Sequence, residues 1–380
     1  MSSVDKGYEG EVHVNGYVPD YRLFNMQSCY VMQDDCLLPY LTVREALTMS
    51  IDLRMPALGR GKTSYLSSLS WRILTGVPFS SFFHLNQEKA EVELQYKSPT
   101  KCHREFVTLL KRCFYCIARN ETTLVRVLMS VFFALLLSVL YYGCGNRAAQ
   151  ARDTAALYTS ATFMMLLEFI GGTVLIFPSE IDAILREQRN CWYRHSYFYI
   201  ARIIAELPFT IICPAIKMII IHWTTSQPMD LYRIATIILL SIQMCSTSQS
   251  IGYVVSTPLN PQMAVVFGMA ASAPAILFCG FFVQTRYLHP AVAWFMFCTH
   301  SFYVQRGFMF ALFGWDRGEL VCDERDSDTL CIPIDGDQVL DVMDAKNVDL
   351  FAYSGIVLAF DVTLKFVAFG LLKWRIWRKR

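Results

Sequence analysis

The 380 residues carry 34 Lys and Arg against 32 Asp and Glu, a net charge of +2, which gives no electrostatic footprint for nucleic acid. Hydrophobic residues make up 54% of the chain and charged residues only 17%, below the roughly one quarter usual in soluble domains. The apolar residues are clustered, which excludes an ordinary soluble chain and points to a polytopic membrane protein.

The first stretch is polar and shows no N-terminal signal peptide. LGRGKTSY at 58–65 ends like a phosphate-binding loop. Such a loop needs a glycine five positions before Gly61, so that successive backbone N–H groups can wrap the phosphates. Pro56 stands there, without an N–H and with a fixed φ, so GRGKTS is expected to be a solvated loop. It lies in a Ser-rich stretch of mixed charge, 59–100, expected to be a linker.

Long apolar spans follow at 124–142, 155–177, 200–223, 232–256, 262–284 and 353–373, each near the roughly 20 residues a bilayer helix needs. A seventh, 290–313, carries His300, Gln305 and Arg306 and reads better as a re-entrant or protein-buried segment. Lys101, Arg104, Lys111, Arg112 and Arg119 precede the first span. Arg186, Arg189, Arg194 and Arg202 separate the second from the third, and the chain ends KWRIWRKR. Positive charge marks cytoplasmic sides, so six spans with both termini cytosolic are expected, in the plasma membrane or an internal one.

The region 314–350 then faces outward, with eleven acids against Arg317, Arg325 and Lys346. It holds Cys322 and Cys331, for which an oxidising compartment predicts a disulfide, two free thiols being the alternative. Cys113 and Cys116 form an isolated C-x-x-C on a basic amphipathic stretch, where helix packing is the better reading than zinc or redox chemistry. The sequon at Asn120 lies on the expected cytosolic side and should be silent.

Two pairs of charged residues and a pair of prolines sit inside spans. Glu168, in MMLLEFIGG, lies within a turn of the depth of Lys217 on the next, antiparallel span, so the two can pair. Asp361 and Lys365 are i, i+4 on the last span and are expected to neutralise one another. Pro208 and Pro214 interrupt the third span, where neighbouring helices can satisfy the freed carbonyls.

CYVMQDDCLLPYLTVREAL at 29–47 resembles the Q-loop region of the nucleotide-binding domain of White-type, G-subfamily ABC half-transporters. GEVHVNG at 10–16 is similar to the strand and turn after that family's phosphate loop. LLKRCFYCIARN at 109–120, FPSEIDAILREQRNCWY at 177–193, YFYIARIIAELPF at 197–209, TTSQP at 224–228 and LFCGFFV at 277–283 resemble its membrane half. WDRGELVCD at 315–323, with Cys331 following, resembles the outer loop of the branch that exports sterols and phospholipids.

The resemblance implies a remnant of the α/β ATPase domain over 1–58 and an ABC-2 type transmembrane domain over 101–380. It implies a Q-loop role for Gln33, although no recognisable phosphate loop, signature sequence or acidic strand accompanies it; SSLS at 67–70 is no signature and His84 lacks its neighbours. ATP and magnesium serve the family, but none is expected on this chain alone. The resemblance places Glu168 and Phe169 at the substrate cavity, Phe281 and Phe282 at its gate, and Arg186, Glu187 and Arg189 in the cytoplasmic coupling segment. The implied function is the membrane subunit of a homo- or heterodimeric half-transporter that exports sterols or other lipids, with a working nucleotide-binding domain supplying the energy. The alternative is a truncated, non-transporting isoform that dimerises with an intact half-transporter and regulates it.

Overall fold

The computed structural model describes residues 13, 38, 40–54, 102–145, 147–189, 193–283, 289–315, 317–320 and 334–378. Gln33, the GRGKTS loop, Cys322 and Cys331 lie outside them. In chain order the elements are α1 (Val43–Arg54), α2 (Cys102–Arg119), α3 (Glu121–Leu140), α4 (Ala151–Arg189), α5 (His195–Thr224), α6 (Leu231–Ser256), α7 (Pro261–Leu277), α8 (Pro290–Phe297), α9 (His300–Phe313), β1 (Glu319–Leu320), β2 (Ile334–Asp335), α10 (Gly336–Val342) and α11 (Leu350–Arg378). The two strands pair antiparallel, Glu319 opposite Asp335.

Among the described residues, five helices are long and apolar enough to cross a bilayer: α3, α4, α5, α6 and α11. They overlap the expected first four and last spans. The expected span at 262–284 is shorter: α7 has 17 residues, about 26 Å at 1.5 Å per residue, against a hydrocarbon core of about 30 Å. Beyond Leu277 the chain turns at Gly280, whose φ of +94° suits glycine. The charged stretch 290–313 forms two short helices, α8 and α9, rather than one span.

The chain divides into two compact units. The first comprises Met1–Asn120, Asp182–Glu206 and Ile376–Arg380. Here α1 begins with a reciprocal cap. The Thr42 backbone N–H donates to Glu45 Oε2 at 3.0 Å, and the Glu45 N–H donates to Thr42 Oγ1 at 3.3 Å. α1 lies along α2 through Arg104–Asp52 and Arg119–Glu45 ion pairs, each at 2.6 Å. The pairing of each end of α1 with the opposite end of α2 makes the two helices antiparallel.

The second unit comprises Glu121–Ile181 and Leu207–Arg375. Its core centres on α4, α6 and α9, with Tyr158, Phe169, Phe302 and Phe308 fully buried. α9 is buried along almost its whole length. Two of its polar residues have protein partners: Gln305 Nε2 donates to Thr159 Oγ1 at 2.8 Å, and Arg306 pairs with Asp344 at 2.8 Å. That is the arrangement irregular or polar backbone requires at membrane depth. The last carbonyls of α9, Ala311 and Leu312, accept hydrogen bonds from Arg233 Nη1 at 3.1 and 3.2 Å, so a buried cation closes a helix C-terminus. By contrast α3 turns Leu124, Leu128, Phe132 and Leu135 outward, a lipid-facing stripe.

Candidate functional site

Lys217 Nζ donates to Glu168 Oε2 at 2.5 Å, joining α5 to α4. The side chains are 0% and 4% exposed. One turn along α4 lies Gly172, where a Cβ would meet Arg126 Cδ at 2.6 Å, so the arginine stem of α3 passes over the helix only because no side chain is there. The Arg126 guanidinium sits 5.0 Å from the centroid of Phe169, a cation–π distance. Phe169 is 1% exposed. The cavity positions implied by resemblance are therefore occupied within this unit: Glu168 by Lys217, and Phe169 by packing beneath Arg126. Arg126 itself did not stand out in the sequence, because it lies at the edge of an apolar run that reads as a span without it.

Asp361 on α11 accepts from Lys365 at 2.5 Å, and also from Ser246 at 2.9 Å and Ser250 at 2.6 Å on α6. The i, i+4 pair thus carries a serine cradle that the sequence spacing alone did not reveal.

A pocket of about 580 Å³ opens in the same unit. Ala148, Ala151 and Ala155 form a smooth wall opposite Phe281, Met309 and Val342, with Arg152, Gln338 and Arg306 as its polar part. Phe281 is half-buried and Phe282, with its ring centroid 5.3 Å away and nearly perpendicular, is 60% exposed. The implied gate pair therefore borders a real cavity on one side and open surface on the other.

In the first unit Glu187 is interior. Arg112 Nη1 donates to its Oε2 at 2.9 Å, Arg112 Nη2 lies in ion-pair contact 2.9 Å from Oε1, and the Tyr193 hydroxyl donates to Oε2 at 2.5 Å. Burial acts most strongly, to lower the Arg112 guanidinium, and Glu187, Tyr193 and Cys113 together outweigh it and hold the group above its ordinary value. Burial, then Glu187, pushes the Tyr193 phenol well above its ordinary range and keeps it a donor. Of the implied coupling residues, Arg186 is partly buried and Arg189 ends α4, while Glu187 locks α4 to α2. Arg202, read from sequence as one of several cytoplasmic cations, is buried against Glu206 at 3.0 Å, both 1% exposed.

Among the described residues no group of three or more His, Cys, Asp or Glu is placed to hold a metal ion. Pro56 stands five positions before Gly61, where a phosphate cradle of the GRGKTS type needs a glycine.

Residues 104–313 match the ABC-2 type transporter family, more than half of the chain. The chain belongs to that family. It is 24% identical over 282 residues to Protein white of Drosophila melanogaster, covering 72% of this chain and 40% of that one. It is 24% identical over 338 residues to the ABC transporter ATP-binding protein/permease wht-1 of Caenorhabditis elegans, covering 84% and 46%. It is also 22% identical over 237 residues to ABC transporter G family member 21 of Arabidopsis thaliana, covering 61% and 35%. The chain spans less than half the length of these relatives. The ABC-2 match begins at Arg104, inside α2, and ends at Phe313, the last residue of α9, so it takes in the Glu168–Lys217 pair, Phe281 and Phe282, and residues 186–189.

Proposed function

We propose that this ABC-2 domain is the membrane subunit of an ATP-binding-cassette half-transporter that exports sterols or other lipids. It works as a homo- or heterodimer with a G-type half-transporter, and a working nucleotide-binding domain supplies ATP hydrolysis. The observation that carries the lipid reading is the pocket bordered by Phe281. Its volume lies within the roughly 300–1,000 Å³ of small-molecule sites, and alanine, valine, methionine and phenylalanine side chains make most of its wall. Such a wall takes up apolar surface without binding a solute by charge, and a pair of rings beside it excludes water until a lipid displaces them.

The test is export from proteoliposomes holding the full chain with an intact White-type half-transporter, supplied with labelled sterol or phospholipid. ATP-dependent export is expected with the pair. Phe281→Ala with Phe282→Ala should raise ATP-independent leak several-fold while leaving the protein folded. Absence of lipid export with every G-type partner tried would overturn the reading. A dominant loss of the partner's own export would instead favour a regulatory subunit.

A further inference from the structure

The pocket beside Phe281 has an apolar wall and a charged flank. Ala148, Ala151 and Ala155 follow at spacings of three and four, so their short side chains form one stripe at the start of α4 and leave room for a ligand body. Arg152 stands about 100° round the helix from Ala151 and also lines the pocket. It is exposed, and among the described residues its guanidinium has no ion-pair partner. The other cation of the lining, Arg306, is engaged: it pairs with Asp344 at 2.8 Å and lies 4.2 Å from the centroid of the Phe302 ring. Gln305 spends its amide nitrogen on Thr159.

The charge lining this pocket is therefore one-sided. None of its described lining residues is a carboxylate. Asp337 and Asp341, i and i+4 on α10, and Asp153, next to Arg152 in the chain, are exposed and stand outside the lining, where water screens them. A neutral solute leaves the Arg152 fork to water, and a cationic one meets two guanidiniums. An anionic head meets a planar array of N–H donors that fits two oxygens of one group. The alanine stripe beside it takes the apolar body.

We propose that this pocket takes an amphiphile with one anionic head, a carboxylate, sulfate ester or phosphate monoester, held by Arg152. The proposal rests on the reading of the pocket as a lipid site and narrows that reading to one class of head.

The test uses the full chain in nanodiscs of neutral phosphatidylcholine. Three probes share one chain with a photoreactive diazirine at its end: dodecanoate, dodecanol and dodecyltrimethylammonium. Labelled peptides are mapped by mass spectrometry, and each probe is normalised to its labelling of the lipid-facing stripe of α3, which removes differences in partitioning. Dodecanoate should label segments 148–155 and 305–309 about tenfold more than dodecanol, the effect of a charge-assisted hydrogen bond, and the cationic probe should label least. Arg152→Gln should bring dodecanoate down to the level of dodecanol and leave dodecanol unchanged, and Arg152→Lys should hold an intermediate level. The side chain is exposed, so neither variant is expected to disturb the fold, and the head series on the unaltered chain stands without them. Equal labelling by dodecanoate and dodecanol, or dodecanoate labelling indifferent to Arg152→Gln, would overturn the anionic head and leave the lipid pocket standing. Labelling of these segments by none of the probes would overturn the pocket reading as well. Inorganic phosphate that competes as well as unlabelled dodecanoate would mean a site for the anion alone, and would overturn the amphiphile.

Discussion

A charge inside a bilayer-spanning helix is tolerated only with a partner, and Glu168 and Lys217 show how complete the partnership is. The ammonium is 0% exposed and the carboxylate 4%. Removing one member leaves the other buried and unpaired, at a cost of about 3–5 kcal/mol, whereas replacing both leaves no uncompensated buried charge. Glu168→Gln and Lys217→Met should therefore each lower the yield of folded protein sharply, and the double variant should recover much of it. Size-exclusion recovery of the four proteins from membranes is the measurement. Losses that simply add would mean the two side chains act independently, with Glu168 serving the cavity rather than the bundle. The proximity of these two residues was legible in the sequence, because antiparallel spans bring equal depths together. Arg126 was not, since nothing in a one-dimensional pattern announces that a glycine on the next helix makes room for it.

At the scale of elements, α1 is a short helix whose attachment rests largely on side chains. Glu45 serves twice, capping its own helix through Thr42 and pairing with Arg119. Arg119 first, and then the Thr42 donors, hold its carboxyl down at about 2, from an ordinary value of 4.5. The folded value is the depressed one, so the hold is complete above pH 4.5 and is lost as pH falls toward 2. Hydrogen exchange of a peptide covering Val43–Arg54 should show α1 losing protection across that acid window. Arg119→Gln should bring the onset toward the ordinary carboxylate value. An α1 equally protected at both ends of the window would mean that packing, not the ion pair, keeps it in place. The resemblance carried by LTVREAL covers this helix, while its Thr42–Glu45 cap is read from the structure. It did not announce that α2 would be its seat, because Arg104 and Arg119 lie across a long stretch of intervening chain.

At the scale of the whole molecule, the charge distribution and the helices together give a testable topology. We propose six crossings, α7 together with the five long helices, which leave both ends of the transmembrane domain on one side and the acidic region 314–350 on the other. An epitope inserted at residue 328 should be reached from outside intact cells, and one appended after Arg380 only after permeabilisation. Finding both on the same side would mean that α11 does not cross, whereas residue 328 inside and the terminus outside would make the crossings odd and return the α8–α9 segment to the count.

The sequence by itself determined the membrane class, the position of the apolar helices and the kinship carried by VMQDD, LTVREAL and GFFV. These depend on composition over about 20 residues and on local motifs, which survive without knowledge of neighbours. It also located the one segment, 290–313, that is too polar to face lipid. The tertiary structure alone decided where that polarity goes: Gln305 to Thr159 and Arg306 to Asp344. It also decided that Glu187 and Arg202, which read as surface charges of a positive cytoplasmic segment, are interior members of ion pairs. It shortened the span expected at 262–284 to the 17 residues of α7 and set Phe281 beside a pocket. The reason is common to all of these. Hydrophobicity is a property of the residue and can be summed along the chain, whereas the satisfaction of a charge or an amide is a property of a pair. The partners of these pairs stand as little as 4 and as many as 146 positions apart, and only folding says which of the available groups they meet.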